Sequence, residues 1–135
     1  MTIFEKIVAG EISSYKIAET KDFLAFLDVF PLKEGHTLVI TKDPVDYIFD
    51  LDDDTLARLH VFAKKVASAL EEVVPCTRVG LAVIGLEVPH THIHLVPINS
   101  VGDINFASTK IKVSEERMIE LCAQIAQSFN RLSLT

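Results

Sequence analysis

The chain has 135 residues, the length of one ordinary domain. Hydrophobic residues make up 49% of it, enough to fill a core, and its formal net charge is −6. That charge argues against proteins that bind nucleic acid or an anionic membrane surface through a basic face. No apolar run approaches the ~18 residues of a membrane span. Glu5 and Lys6 interrupt the apolar run that a signal peptide needs. We therefore expect a single cytoplasmic domain over residues 1–135.

Two cysteines, Cys76 and Cys122, lie far apart in the chain and form no CxxC pair. A small disulfide-stapled domain would carry more cysteines, and a zinc ribbon or redox motif would place them close together. We therefore interpret both residues as free thiols in a reducing compartment.

The first half of the chain predicts one short helix and three strands. Apolar residues at helical spacing predict a helix over residues 3–9, ended by Gly10. Residues 14–19 and 23–27 are candidate strands on either side of a polar turn, which is the pattern of a hairpin. Residues 36–41 are rich in β-branched side chains and predict a third strand.

The second half predicts two longer helices that flank two strands. An apolar stripe behind three aspartates predicts a helix over residues 52–74, stopped by Pro75. Residues 77–84 read as a buried strand, residues 90–98 as a fifth strand, and residues 114–129 as the last helix. Tight turns favour antiparallel pairing, and the helices do not alternate strictly with the strands, so the expected fold class is α+β.

A row of three histidines, His90, His92 and His94, lies within the fifth predicted strand. Because side chains of a strand alternate between its faces, the three imidazoles are expected on one face, in a ridge about 13 Å long. Thr91 and Ile93 would then point to the other face. Burying three imidazoles together is costly unless they have partners, so we expect the row to be functional.

Two kinds of site fit such a row. A His-x-His pair can bind zinc if a third ligand such as His36 joins it, but no Cys-rich or acidic cluster supplies one. The preferred interpretation is catalysis on a phosphate ester or phosphoramidate, because neutral imidazole is nucleophilic and its neighbours can bind phosphate oxygens. No GxxxxGK[ST] loop is present, which excludes a P-loop enzyme. His60 stands alone in the long helix and is interpreted as a surface residue.

The segment from His90 to Val96 resembles the signature of the histidine triad family, His-φ-His-φ-His-φ-φ, in which φ marks a hydrophobic position. Four other segments resemble the Hint branch of nucleotide phosphoramidases in that family. They are residues 3–12, 26–29, 35–40 and 85–89. The resemblance covers residues 2–98, and the C-terminal loop and helix over residues 99–135 carry no recognisable family motif.

The resemblance implies an antiparallel sheet of about five strands with two main helices, continued into a second sheet across a homodimer. It implies a hydrolase that cleaves the P–N or P–O bond of nucleoside 5′-monophosphate derivatives, such as adenosine 5′-phosphoramidate, through a nucleotidyl-histidine intermediate. His92 would be the nucleophile. His90 and His94 would bind phosphate oxygens and assist the leaving group, and His36 would orient the triad.

The same resemblance implies a binding site for a purine nucleoside monophosphate. Asp28 would hold the ribose hydroxyls through its carboxylate. The base would lie in an apolar slot of a kind suited to small ligands. The residues expected to line this slot are Phe4, Ile7, Phe26 and Val29.

Several positions depart from the family pattern. Thr2 and Glu5 stand where some members carry cysteines that help bind a structural zinc, so we expect no metal and no cofactor. Leu86 replaces an amide that could contact phosphate, and Glu87 would add negative charge near it. These changes keep two alternatives open: a dinucleoside polyphosphate hydrolase or nucleotidyltransferase, and a purine nucleotide-binding protein with little turnover. The apolar segment 79–84 could belong to the core or to a dimer interface.

Overall fold

A five-stranded antiparallel sheet organises the chain in a computed structural model, which describes residues 1–134. The strands are β1 (Lys16–Glu19), β2 (Phe23–Leu27), β3 (Thr37–Thr41), β4 (Arg78–Ala82) and β5 (His92–Ile98). The helices of the described part are α1 (Ile3–Val8), α2 (Asp53–Val73) and α3 (Glu115–Leu132). The strand order is β1-β2-β3-β5-β4, with every neighbouring pair antiparallel. The predicted α+β class and the two main helices are confirmed; Thr135, the end of the predicted C-terminal region, lies outside the described residues.

The main core lies between α2, α3 and one face of the sheet. The strand residues Val39, Ile93 and Leu95 are at most 1% exposed and pack into this core. Each fully buried aliphatic side chain of this kind contributes roughly 1.5–3 kcal/mol. Asp52 begins α2 by accepting a hydrogen bond from the Thr55 N–H, as an N-cap does. The helices α2 and α3 therefore pack against one face of the sheet and fix the positions of β3 and β5.

The opposite face of the sheet carries a smaller apolar cluster covered by α1. Its buried members are Phe4, Leu24, Phe26, Leu38 and Ile40. In the register of β3 with β5, Leu38 is paired with His94 and Ile40 with His92. Residues directly opposite in an antiparallel pair point to the same face. The histidines of β5 therefore share a face with α1 and not with the two long helices.

Some sequence-based expectations differ from the structure. The strand predicted over residues 77–84 is present as β4, but its predicted burial is wrong, because among the described residues β4 is an edge strand paired only with β5. Leu81 is 50% exposed and Ile84, just beyond the strand, is 45% exposed. The predicted strand 90–98 begins only at His92. Both cysteines are free, as expected, and no helix in the described part of the chain is long and apolar enough to cross a membrane.

Candidate active site

Four histidines gather at one end of the α1-covered face of the sheet. His92 and His94 lie on β5, while His36 and His90 come shortly before β3 and β5. The ring centroids of His92 and His94 are 4.9 Å apart, and those of His36 and His94 are 5.2 Å apart. The ring of Phe4 joins His90 to this group, with centroids 5.6 Å from His90 and 5.0 Å from His92. The structure thus brings together all four histidines that the sequence singled out.

One ring nitrogen of His92 is fixed by the backbone, which leaves the other free to react. Its Nδ1 lies 2.6 Å from the carbonyl oxygen of His90. Because a carbonyl oxygen can only accept, Nδ1 carries the proton and Nε2 keeps its lone pair. Burial lowers the pKa of His92, which is only 7% exposed. A neutral imidazole with an available Nε2 is a nucleophile.

His36 and His94 form a hydrogen-bonded relay that begins at the backbone. The Leu32 N–H donates to His36 Nδ1 at 3.0 Å, so the proton of this imidazole is on Nε2. That Nε2–H donates to His94 Nδ1 at 3.0 Å. His94 in turn carries its proton on Nε2, where it makes no bond to the described residues. The relay therefore presents an N–H donor beside the nucleophile.

Burial holds both relay histidines neutral. Desolvation, helped by the neighbouring His94 and Lys110, lowers the pKa of His36 to about 3. Desolvation, helped by His92 and Lys110, lowers the pKa of His94 to about 4. Gly35, directly before His36, lets the backbone pass close to α2. Its φ of +90° suits glycine, and a Cβ there would lie 2.9 Å from side-chain atoms of Leu70 and Val74.

Both ring nitrogens of His90 form hydrogen bonds within the protein. Its Nε2–H donates to the Thr41 carbonyl oxygen at 2.6 Å, and its Nδ1 accepts from the Thr2 hydroxyl at 2.9 Å. Both nitrogens are thus occupied, and the residue is 0% exposed. Neither ring nitrogen is left for a phosphate oxygen in this arrangement, so the expected contact of His90 with phosphate stays a prediction. The contribution of His90 is the carbonyl oxygen that orients His92.

Comparison with known proteins agrees with this arrangement. A family model described as the HIT domain matches residues 9–101. The chain belongs to the histidine triad family. The resemblance noted in the sequence is thereby confirmed.

Two curated relatives and one solved structure illustrate the similarity. An uncharacterized HIT-like protein of Borreliella burgdorferi is 34% identical over 134 residues, covering 93% of this chain and 96% of the relative. Adenosine 5′-monophosphoramidase hnt1 of Schizosaccharomyces pombe is 38% identical over 96 residues, covering 70% of this chain and 72% of the relative. A hypothetical histidine triad nucleotide-binding protein from Sulfolobus tokodaii superimposes with a TM-score of 0.82 at 27% identity, covering 96% of this chain and 93% of that one.

Asp28 lies beside the relay of this histidine triad protein. One carboxylate oxygen accepts from the Phe30 N–H at 2.8 Å, and the other is 3.6 Å from His36 Nε2. The Asp28 N–H donates to the His36 carbonyl at 2.9 Å, which ties the end of β2 to the start of β3. Burial raises the pKa of Asp28, although its side chain remains 17% exposed. This carboxylate is therefore partly desolvated and faces the histidines.

The residues expected to line a base slot are only partly brought together. Phe4 and Phe26 are buried with ring centroids 5.8 Å apart, and Ile7 packs against the same cluster. Val29 is 58% exposed and does not belong to that cluster. Glu87 is exposed, and its charge acts on His92 in the direction that raises the pKa, against the larger effect of burial. Val29 is thus exposed where the sequence predicted an apolar slot.

Sequence reasoning missed two residues of the C-terminal loop, Phe106 and Lys110. The Phe106 ring centroid is 4.6 Å from that of His94 and 6.2 Å from that of His36. The Ile111 N–H donates to the Pro31 carbonyl at 2.9 Å, which anchors the loop beside Asp28. The segment has no periodic pattern and no motif, and nothing in the sequence sets Phe106 or Lys110 apart from the other apolar and basic residues of this loop.

A metal ion was the second interpretation of the histidine row, and it fits poorly here. Asp28, His36 and His94 each offer one ligand atom, and these atoms all lie within 4.8 Å of one another. To bind a cation, His36 Nε2 would have to lose its proton to Nδ1. Nδ1 would then point a proton at the Leu32 N–H that it now accepts from. The tautomer required by the backbone therefore opposes metal ligation.

Thr2 couples the start of α1 to the triad, and its substitution should be measurable. Thr2 Oγ1 accepts from the Glu5 N–H at 3.0 Å and donates to His90 Nδ1 at 2.9 Å. Thr2→Val removes a helix cap and leaves a buried ring nitrogen without its donor. We expect a loss of about 2 kcal/mol in the free energy of unfolding, measured by urea denaturation. Thr2→Ser, which retains the hydroxyl, should lose less than about half of that. Equal stability of Thr2→Val and the parent protein would show that the contact contributes nothing.

Proposed function

We propose that this histidine triad protein is a hydrolase of purine nucleoside 5′-monophosphate derivatives, with His92 as the nucleophile. The observation that carries the proposal is the His92 imidazole, whose Nδ1–H is fixed by the His90 carbonyl so that the Nε2 lone pair is available. Membership of the family and a relative named adenosine 5′-monophosphoramidase support hydrolysis of a phosphoramidate. The expected substrate is of the type of adenosine 5′-phosphoramidate.

The chemistry proceeds in two displacements at the α-phosphorus. In the first, His92 Nε2 forms a bond to phosphorus as the P–N or P–O bond to the leaving group breaks. The leaving nitrogen takes a proton from solvent and departs as an amine. In the second, water attacks phosphorus, the bond to His92 breaks, and its electron pair returns to Nε2. The products are a nucleoside monophosphate, the leaving group and a proton from the water.

The remaining residues bind and orient the nucleotide. His94 is neutral, so its Nε2–H serves as a hydrogen-bond donor to phosphoryl oxygens and not as a charge. His36 fixes that donor through the bond to His94 Nδ1. Asp28 accepts hydrogen bonds from the ribose hydroxyls with the oxygen that faces His36. The apolar cluster of Phe4 and Phe26 forms the wall against which the base packs.

A substrate panel tests the reaction class. The purified protein is incubated separately with adenosine 5′-phosphoramidate and with a dinucleoside tetraphosphate, and the nucleotide products are separated by chromatography. We expect AMP to form faster from the phosphoramidate. A preference for the tetraphosphate would select a polyphosphate hydrolase. Binding of AMP without turnover of either compound would select a nucleotide-binding protein, and both results would contradict the proposal.

We further infer that two copies of the chain associate through the β4 edge, which would continue the sheet. An edge strand presents unpaired N–H and C=O groups, and exposed apolar side chains beside it favour a partner. Leu81 on β4 is 50% exposed, Ile84 is 45% exposed and Phe49 is 71% exposed. A shallow cavity lined by Phe49, Leu56 and Val83 lies between α2 and the residue that follows β4.

Leu81→Glu should convert the dimer to a monomer, because it places two like charges across a two-fold contact. Sedimentation at micromolar concentration measures the mass of the parent and the variant. Ile119→Glu is the matched control, since Ile119 is 54% exposed on α3. This helix packs against β1, which forms the opposite edge of the sheet from β4. A monomeric parent protein, or dissociation of both variants, would contradict this interface.

A further inference from the structure

The histidines of the site donate hydrogen bonds but bring no positive charge to it. His36 and His94 are neutral, with pKa values of about 3 and about 4. Asp28 lies beside them, and the charge of Glu87 reaches His92. A nucleotide phosphate is an anion and would enter a site with nearby carboxylates. A cation is therefore needed from some other part of the chain.

Lys110 in the C-terminal loop is suitably placed to supply that cation. Its Nζ lies 5.9 Å from the centroid of the Phe106 ring, which itself contacts the His94 ring at 4.6 Å. The charge of Lys110 also reaches Asp28, where it acts to lower the pKa against the larger effect of burial. The same charge acts on His36 and His94. The ammonium group therefore lies beside the aromatic ring that contacts His94.

The ammonium group of Lys110 has carbonyl partners but no carboxylate partner among the described residues. Its Nζ donates to the Phe106 carbonyl at 2.9 Å and to the Ser108 carbonyl at 3.4 Å, which leaves one of its three protons free. Lys33 and Lys42, in contrast, each form an ion pair with a carboxylate. An ammonium group with a free proton and no carboxylate partner can take an anionic ligand as its counter-ion.

Two hydrogen bonds of the C-terminal loop fix the position of the Lys110 side chain. The bond from Nζ to the Phe106 carbonyl folds Lys110 back over the aromatic ring, and the Ile111 N–H anchors the next residue to Pro31 in the loop that follows Asp28. Phe106 and Lys110 thus form one wall of the site, with the ring against His94 and the charge beside the ring. This wall combines an apolar surface with a single positive group.

We propose that Lys110 forms an anion subsite that receives the phosphate of the bound nucleotide. The subsite rests on the proposed function, because it assumes that a nucleotide occupies the histidine cluster. It restricts the ligands to nucleotides that carry a negatively charged α-phosphate and disfavours uncharged nucleosides. In this chain the cation comes from the C-terminal loop, the region to which no family motif extends.

Calorimetry with AMP and with adenosine separates phosphate binding from support of the loop. Lys110→Met removes the charge and keeps most of the side-chain length. We expect its affinity for AMP to fall by about tenfold to a hundredfold, while its affinity for adenosine stays unchanged. Lys110→Arg should retain AMP binding within about threefold, and the AMP affinity of Lys110→Met should depend less on salt. Lys112→Met, which removes an exposed lysine two positions away, is the matched control and should bind AMP as the parent does.

The following results would overturn the subsite. An equal loss of AMP and adenosine affinity in Lys110→Met would mean that the lysine only holds the loop. Unchanged AMP affinity would mean that it does not contact the phosphate. Failure of the parent protein to bind AMP at all would contradict the proposed function itself, and the subsite with it. Turnover of the phosphoramidate by the parent protein, together with unchanged AMP affinity in the variant, would contradict the subsite alone.

Discussion

His92→Asn is expected to lower phosphoramidate turnover by at least about a thousandfold, because the covalent route through the imidazole is lost. The asparagine amide can place an N–H near the position of Nδ1 and so keep a donor to the His90 carbonyl. Its side chain has no nitrogen lone pair in the place of Nε2. The variant should therefore fold and bind AMP while failing to react. Steady-state hydrolysis of a fluorogenic nucleoside phosphoramidate measures the loss.

Intact-protein mass spectrometry adds a direct test of the intermediate. The parent protein, quenched in the first turnovers, should carry one added nucleotidyl group, and His92→Asn should carry none. His60→Ala is the control, because His60 is exposed on α2 and its Nδ1–H donates to the Leu56 carbonyl of its own helix. Turnover by His92→Asn near the parent rate, or a nucleotidyl group found on another residue, would contradict the assignment of His92.

The local patterns of the sequence were sufficient for much of the fold. The strand Phe23–Leu27 was predicted with its observed bounds, and α2 within one residue at each end. Both segments are defined by nearby residues, since a polar turn borders the strand and Asp52 and Pro75 border the helix. His36 could be predicted as a partner of the triad only through the family resemblance, because its contact with His94 spans two strands.

The errors have a common physical origin in contacts between distant parts of the chain. His90 was expected to extend the strand, but the Thr91 N–H and hydroxyl both bond to the Val45 carbonyl, which pulls the chain away from the sheet. The two ring nitrogens of His90 are then taken by Thr41 and Thr2. The exposure of β4 likewise depends on which strands lie beside it. The alternation of apolar residues along the chain indicates neither the partners of His90 nor the edge position of β4.

Acidification is expected to destabilise the protein from about pH 6.5 downward, because buried histidines stay neutral in the folded state. An unfolded histidine takes up a proton near pH 6.5, whereas the folded pKa is about 3 for His36 and about 4 for His94. Between these values the unfolded state binds more protons, so the free energy of unfolding falls as the pH falls. Each such group contributes a slope of up to about 1.4 kcal/mol per pH unit. The contribution of each neutral histidine to the free energy of unfolding is fully present above about pH 6.5.

Urea unfolding at pH 7.5, 6 and 5 isolates this effect, since ordinary carboxylates remain ionised throughout that range. Asp28 acts in the opposite sense, because its raised pKa removes stability as the pH rises through its folded value. His36→Gln should flatten the slope by the share of one histidine, whatever its absolute stability. A free energy of unfolding that is constant from pH 7.5 to 5, or a slope unaltered in His36→Gln, would mean that the relay is protonated in the folded protein. A protonated His94 would still donate from Nε2 but would bring its own positive charge, so this titration bears on the need for the Lys110 charge as much as on stability.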